Sequence, residues 1–291
     1  MNAKDQIEIL RDNVNEAVAA HSTDLELLRR LNFAQRIVAK MVGMSPGHWL
    51  VVSKSVTPVD SVITLPADCA KPIYLEETAT GEEISWLDGG VGLKNFTNAV
   101  GADWNVGGKE AYLLMNTIVV TKPSFTTACT LYYQIRIPDL HAGYAVTGSG
   151  ASALVFDTSV VAAATDLGTG RAIKFVDDYY NGSVVEVIDG TSGIVDIIST
   201  ISDFTASSAT AVITGTPAAN DLYGTVSRLP EEVHNLMVLE ATIGALMKPG
   251  SSLDEKIIQY HMAEIKRERK LVDEWLMSRY PSGGVVIGEV Y

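Results

Sequence analysis

The stretch from Ser227 to Tyr280 constrains the fold most, because there two long helical patterns both have marked ends. Leu229-Pro230-Glu231-Glu232 opens the first: proline is tolerated where early N–H groups lack partners, and the glutamates complement the positive end of the helix dipole. Val233, Leu236, Met237, Ile243 and Met247 recur at helical spacing until Lys248-Pro249-Gly250 stops the run. Ser252 with Glu255 then forms a capping-box pattern, and Ile258, Met262, Ile265, Val272, Trp275 and Leu276 carry a second helix to Tyr280-Pro281. The spacing therefore predicts a helical hairpin over 227–280. Lys266-Arg267-Glu268-Arg269-Lys270 interrupts the second apolar stripe. Such a charged middle is either a solvated face, with Glu264 and Glu268 set against Arg267 and Lys270, or a face that projects against another chain.

Residues 1–48 mirror this hairpin. Ile7, Leu10, Val14, Ala17 and Val18 form one stripe, and Thr23 with Glu26 caps another running through Leu25, Leu28, Leu31, Ile37, Val38 and Met41 to Gly43. Stripes of this kind cannot be buried singly, so the N- and C-terminal helices are expected to share one bundle. Over 49–138 the pattern shortens. Leu50–Ser53, Ser61–Leu65, Ile73–Glu77, Ala111–Val120 and Thr130–Ile137 read as strands of a small antiparallel β-sheet domain.

Residues 139–226 differ again, with 10 acidic residues against 2 basic ones and no sustained helical period. Asn181-Gly182, between Ala172–Val176 and Val184–Ile188, predicts a tight hairpin, and Leu154–Phe156, Ile194–Ile201 and Ala209–Ile213 read as further strands. The segment is expected to be an inserted all-β module, a barrel or a sandwich, giving an α+β chain overall. After Pro281-Ser282-Gly283-Gly284, the β-prone Val285-Val286-Ile287-Gly288-Glu289-Val290-Tyr291 either docks on a partner or adds a last strand to this chain's own sheet.

Hydrophobic residues make up 47% and charged residues 20%, ordinary globular values. No apolar run reaches the ~18 residues of a membrane span. The first residues lack the pattern of a secretion signal, so folding in a cytosol is expected. Cys69 and Cys129 have no metal-ligand spacing. The net charge of −13 and the lack of a basic patch with interleaved aromatics argue against an electrostatic grip on nucleic acid. Gly43-Met44-Ser45-Pro46-Gly47 matches a nucleophile elbow as a string, but it follows a helix, and the proline has no N–H for an oxyanion. Gly148-Ser149-Gly150 lacks a βαβ unit around it, Asp177-Asp178 lacks the spacing of a calcium loop, and the five histidines are scattered singly. No catalytic residue, cofactor or metal site is expected.

In order along the chain stand Leu25-Glu26-Leu27-Leu28-Arg29-Arg30-Leu31-Asn32, a tryptophan and a strand, Leu65-Pro66-Ala67-Asp68, Lys71-Pro72-Ile73, and Leu229-Pro230-Glu231-Glu232 leading through His234 into an alanine-containing helix. This ordered set resembles the head-to-tail connector (adaptor) proteins of tailed bacteriophages, over residues 20–138 and 227–280. Residues 146–223 fall outside that likeness and resemble β-modules of phage virion proteins. The resemblance implies a structural virion protein rather than an enzyme. It would form a homo-oligomeric ring, usually a dodecamer, beneath the portal protein, join the capsid vertex to the nozzle or tail-tube proteins, and let DNA pass without sequence-specific binding. Assembly in the host cytoplasm and no membrane partner follow from it. On this reading Val285, Val286, Ile287, Val290 and Tyr291 would contact portal, and Lys266, Arg267, Arg269, Lys270 and Trp275 would lie between subunits. A tail adhesin or carbohydrate-binding protein using the β insert is the alternative.

Overall fold

The computed structural model describes residues 1–14, 22–45, 47–87, 109–122, 124–160, 167–247 and 255–278. Among these it is a mixed α+β chain with four helices and several small, mostly antiparallel sheets. The chain divides into two compact units: Leu50–Arg136, and Met1–Trp49 together with Ile137–Tyr291.

The Leu50–Arg136 unit contains β1 (Val51–Val56), β2 (Val62–Thr64), β3 (Cys69–Glu77), β4 (Ser85–Trp86), β5 (Glu110–Leu114), β6 (Thr117–Val120) and β7 (Cys129–Ile135). They form sheets of order β1-β7-β3 and β2-β6-β5-β4, in which β4 and β5 pair in parallel. Cys129, Leu131, Tyr133 and Ile135 are buried on alternate positions, the period of a central strand. One expectation is corrected here. Ala111–Val120 is a hairpin rather than one strand, turning at Met115-Asn116 with Leu114 opposite Thr117. Met115 takes φ 53° there without a glycine to signal it.

In the other unit, α1 (Ala3–Asn13), α2 (Asp24–Met44), α3 (His234–Leu246) and α4 (Glu255–Ser278) carry the helical patterns. Thr23 and Glu26 make the expected capping box, satisfying two orphan N–H groups of α2. A 3₁₀ turn over Glu231–Val233 follows Pro230 and leads into α3. α3 is buried nearly all round, through Leu236, Met237, Val238, Leu239, Ala241 and Thr242, and packs on α2 and on α4, while α1 packs on α2 and α3. The Lys248-Pro249-Gly250 stop and the Ser252 cap lie outside the described residues.

The strands β8 (Ala142–Tyr144), β9 (Ala153–Val155), β10 (Val184–Ile188), β11 (Val195–Thr200), β12 (Asp203–Thr205), β13 (Thr210–Val212) and β14 (Leu222–Val226) form sheets of order β11-β10-β14-β8 and β12-β13-β9. Both sheets contribute to one core, with Val185, Val187 and Tyr223 from the first and Leu154, Phe204 and Ala211 from the second. Among the described residues no sheet closes on itself into a barrel. Ala172–Val176 is not a strand, correcting the expected hairpin. After the 3₁₀ turn Gly170–Ala172 the chain is irregular, because local groups use its backbone: the Lys174 N–H donates to the Tyr180 hydroxyl at 3.2 Å and Asp178 N–H to Phe204 O at 2.9 Å. Gly182 supplies the positive φ (77°), and its N–H reaches Ile201 O at 2.8 Å, so the Asn-Gly pair makes a turn without a hairpin.

The strand-rich segment has its own core but is not detached from the helices. Asn32 donates to Leu140 O at 3.1 Å and accepts from the Leu140 N–H at 2.6 Å; Gln35 donates to Pro138 O at 2.7 Å. The α1 cap Asn2 accepts from Asp5 N–H and donates to Glu186 of β10 at 2.6 Å, an approach open because Gly224 beneath it has no side chain.

Candidate interaction surfaces

Of the 24 residues of α4, only His261, Ile265, Val272 and Leu276 are buried. Arg269 bonds Glu240 of α3, with its Nε 2.8 Å from the carboxylate, so the charged middle of α4 is partly a tether to its neighbour. Lys270 lies 3.7 Å from Glu274, and Glu264 accepts from Tyr260 Oη at 2.9 Å rather than pairing with Arg267. Lys266 and Arg267 are exposed. Trp275 stacks on Trp49 with centroids 4.6 Å apart, so this indole already has an aromatic neighbour within its own chain. Gly47 permits that stack: a Cβ there would stand 2.4 Å from the Trp49 Nε1. Tyr260, Met262, Leu271 and Met277 are exposed at several positions around the helix, among exposed charges of both signs. Val285, Val286, Ile287, Val290 and Tyr291 lie outside the described residues.

Three surfaces escaped the sequence reading. The first is the outer side of α2, where Phe33 (63% exposed), Ile37 and Met44 stand in line with Arg29, Arg30 and Lys40. Ile37, expected on the buried stripe, is exposed here instead, a correction, because the stripe that packs inward is 27-28-31-34-38-42 and positions 33, 37 and 44 lie off it. The second is edge strand β11, with Ile194, Val195 and Ile198 exposed. The third is the Leu113-Leu114-Met115 hairpin tip in the Leu50–Arg136 unit.

The polar groups considered for chemistry have structural partners. Ser45 Oγ donates to Val42 O at 2.7 Å at the end of α2, while Pro46 lies outside the described residues. Asp177 accepts from Ala206 N–H at 2.7 Å and Asp178 from Asn181 at 2.8 Å. Ser149 Oγ accepts from Val155 N–H at 2.9 Å within a loop. His141 is fully buried against Phe156 and Tyr223, and burial lowers its pKa to about 3. His234, also pushed down by burial, bonds Leu229 O at 3.1 Å, closing the turn before α3. Cys69 and Cys129 are free and buried, the second thiol pushed up by burial to about 11. Among the described residues no three His, Cys, Asp or Glu side chains cluster as metal ligands, and no helix is long and apolar enough to cross a membrane. No known protein family matches the chain, and no curated protein matches its sequence.

Proposed function

We propose that this chain is a structural virion protein, a head-to-tail adaptor that forms a ring beneath a portal and joins it to tail proteins around a DNA channel. The observation that carries the reading is α4: a 24-residue helix with four buried residues, whose exposed Tyr260, Met262, Leu271 and Met277 alternate with Lys266 and Arg267. A monomer gains nothing by leaving so much apolar helix in water, whereas neighbouring subunits would cover it. The ordered likeness to connector proteins and the net charge of −13, suited to a conduit that must not hold DNA, support the same reading. In it the four helices act as one bundle, and Val285 to Tyr291 dock on portal.

Light-scattering mass measurement after size exclusion, with and without portal, tests this. A ring, or a ring formed only on portal, is expected. A protein that stays monomeric and ignores portal refutes the adaptor reading and favours the adhesin alternative.

A further inference from the structure

Among the described residues nothing covers the outer face of α2. Its inner face buries Leu27, Leu28, Leu31, Ala34 and Val38, leaving Phe33, Ile37 and Met44 in water. Among the described residues Arg29, Arg30 and Lys40 on the same face make no ion pair, whereas Arg36 is spent on Asp139 at 2.7 Å. A groove of about 330 Å³ opens at the N-terminal end of this face, lined by Ser22, by Glu26, Leu27, Arg29, Arg30 and Phe33 of α2, and by Ala245 of α3, two arginines against one glutamate. In a chain of net charge −13 this basic, apolar strip is out of character with its surroundings.

Its complement is in the same compact unit. Ile198 of β11 lies opposite Glu186 of β10, so both side chains point to the sheet face on which Asn2 and the start of α1 sit. Asn2 reaches Glu186; beyond it Asp196 and Ile198 (68% exposed) are open to water, with Ile194 at the strand's start. Burial raises the Asp5 pKa, and the Glu186 and Glu8 carboxylates add to this against the lowering effect of Lys4 and the amino terminus, so acidic groups outnumber basic ones around Asn2. The two faces are far apart in one copy. α2 bonds the residues just before β8, and β11 is the opposite edge of that sheet, three strand spacings or ~14 Å away.

We infer that copies of this chain join head to tail, the basic and apolar outer face of α2 on one copy taking the acidic and apolar outer face of β11 on the next. The inference rests on the ring reading above and names the contact that builds the ring. An α2-to-α2 contact would set arginines against arginines, and a β11-to-β11 contact Asp196 against its own copy, so the like-charge cost selects the unlike pairing. A contact between two different patches is heterologous and closes into a ring when its rotation permits.

Two charge-reversed full-length proteins test it: Arg29→Glu/Arg30→Glu, and Asp196→Arg/Ile198→Arg. All four positions are exposed, so each variant keeps the wild-type circular dichroism. By light-scattering mass, neither variant assembles alone, since the first sets acid on acid and the second base on base. Mixed in equal amounts they assemble in alternation, which also shows that both are folded. Phe33→Ser, which adds no charge, weakens wild-type assembly at least tenfold in concentration. A wild type that assembles while either charge variant assembles alone, or while the mixture does not, overturns this contact and leaves the ring reading standing. A wild type that never assembles, with or without portal, overturns both.

Discussion

Replacing His141 by phenylalanine should flatten the acid side of the stability profile. Its Nδ1 is 3.0 Å from the Tyr223 hydroxyl, and that hydroxyl accepts from the Asp157 N–H at 2.8 Å. The hydroxyl thus bridges the Asp157 backbone to a fully buried imidazole that burial keeps neutral. Burial lowers the folded pKa to about 3, only partly offset by the Thr169 backbone, against about 6.5 in an unfolded chain. Above pH 6.5 neither state holds the proton and stability does not respond. As pH falls from 6.5 towards 3 the unfolded state binds a proton that the native state refuses, so stability is lost at about 1.4 kcal/mol per pH unit, roughly 2 kcal/mol by pH 5. Urea unfolding at pH 7.5 and pH 5 measures this. His141→Phe should start about 1–3 kcal/mol lower at pH 7.5, because the buried Tyr223 hydroxyl loses its imidazole partner, yet lose about 2 kcal/mol less than wild type on acidification. His234 and the carboxylates remain in both proteins and cancel in the difference. Equal acid losses in the two proteins would refute a buried neutral His141.

Asp24→Ala should cost about 3–5 kcal/mol in the same urea assay, since it strips the Arg11 guanidinium, 2.6 Å away and mostly buried, of its carboxylate. Thr23→Ala removes half of the α2 capping box and should cost about 1 kcal/mol, with no change in oligomeric mass. Gly47→Ala forces Trp49 off Trp275, because its new methyl would stand 2.4 Å from the indole nitrogen; tryptophan fluorescence should shift, and stability fall by about 1–3 kcal/mol. Truncation after Tyr280 should leave the melting temperature unchanged and abolish attachment to portal; a loss above about 2 kcal/mol would assign the segment to its own fold instead.

The helices were legible because their ends carry chemistry that acts locally: the Thr23 and Glu26 cap and the Pro230 start need no tertiary contact to work. The strands of the Leu50–Arg136 unit were legible from period and composition, apart from the Met115 turn, whose positive φ falls on a residue type that rarely takes it. The strand-rich segment was read least well. β14 contains Gly224, a poor strand residue taken alone, yet present because the backbone of Ala3 and Lys4 passes over it. Ala172–Val176 has strand composition, but the Tyr180 hydroxyl, six residues on, takes the Lys174 N–H that a ladder would need. Of the candidate surfaces, the α4 charges could be read directly. Those on α2 and β11 could not, since one pattern does not say which of two apolar stripes a helix will bury.

The buried polar residues of α2 explain why the helices and the strand-rich segment belong to one unit. Asn32 and Gln35 lie on the inner face of α2, where an amide without partners would cost a few kcal/mol. Their partners are the backbone of Pro138 and Leu140, which leads into β8. At the other end of the helices, the cap of α1 is tied to Glu186, and Asn2 bridges to Val226 at the close of β14. The sheet is thus clamped at its first strand by α2 and across its middle by α1, and Tyr179 Oη accepts the Asp139 N–H at 3.1 Å to fix the entry. An insert held only by its two ends would leave the Asn2 amide without Glu186, which lies in the middle of the sheet. Because these amides are occupied, the segment sets the position of α2 and of β11 together, as a ring needs if one face of each subunit is to meet the other face of its neighbour at a constant angle.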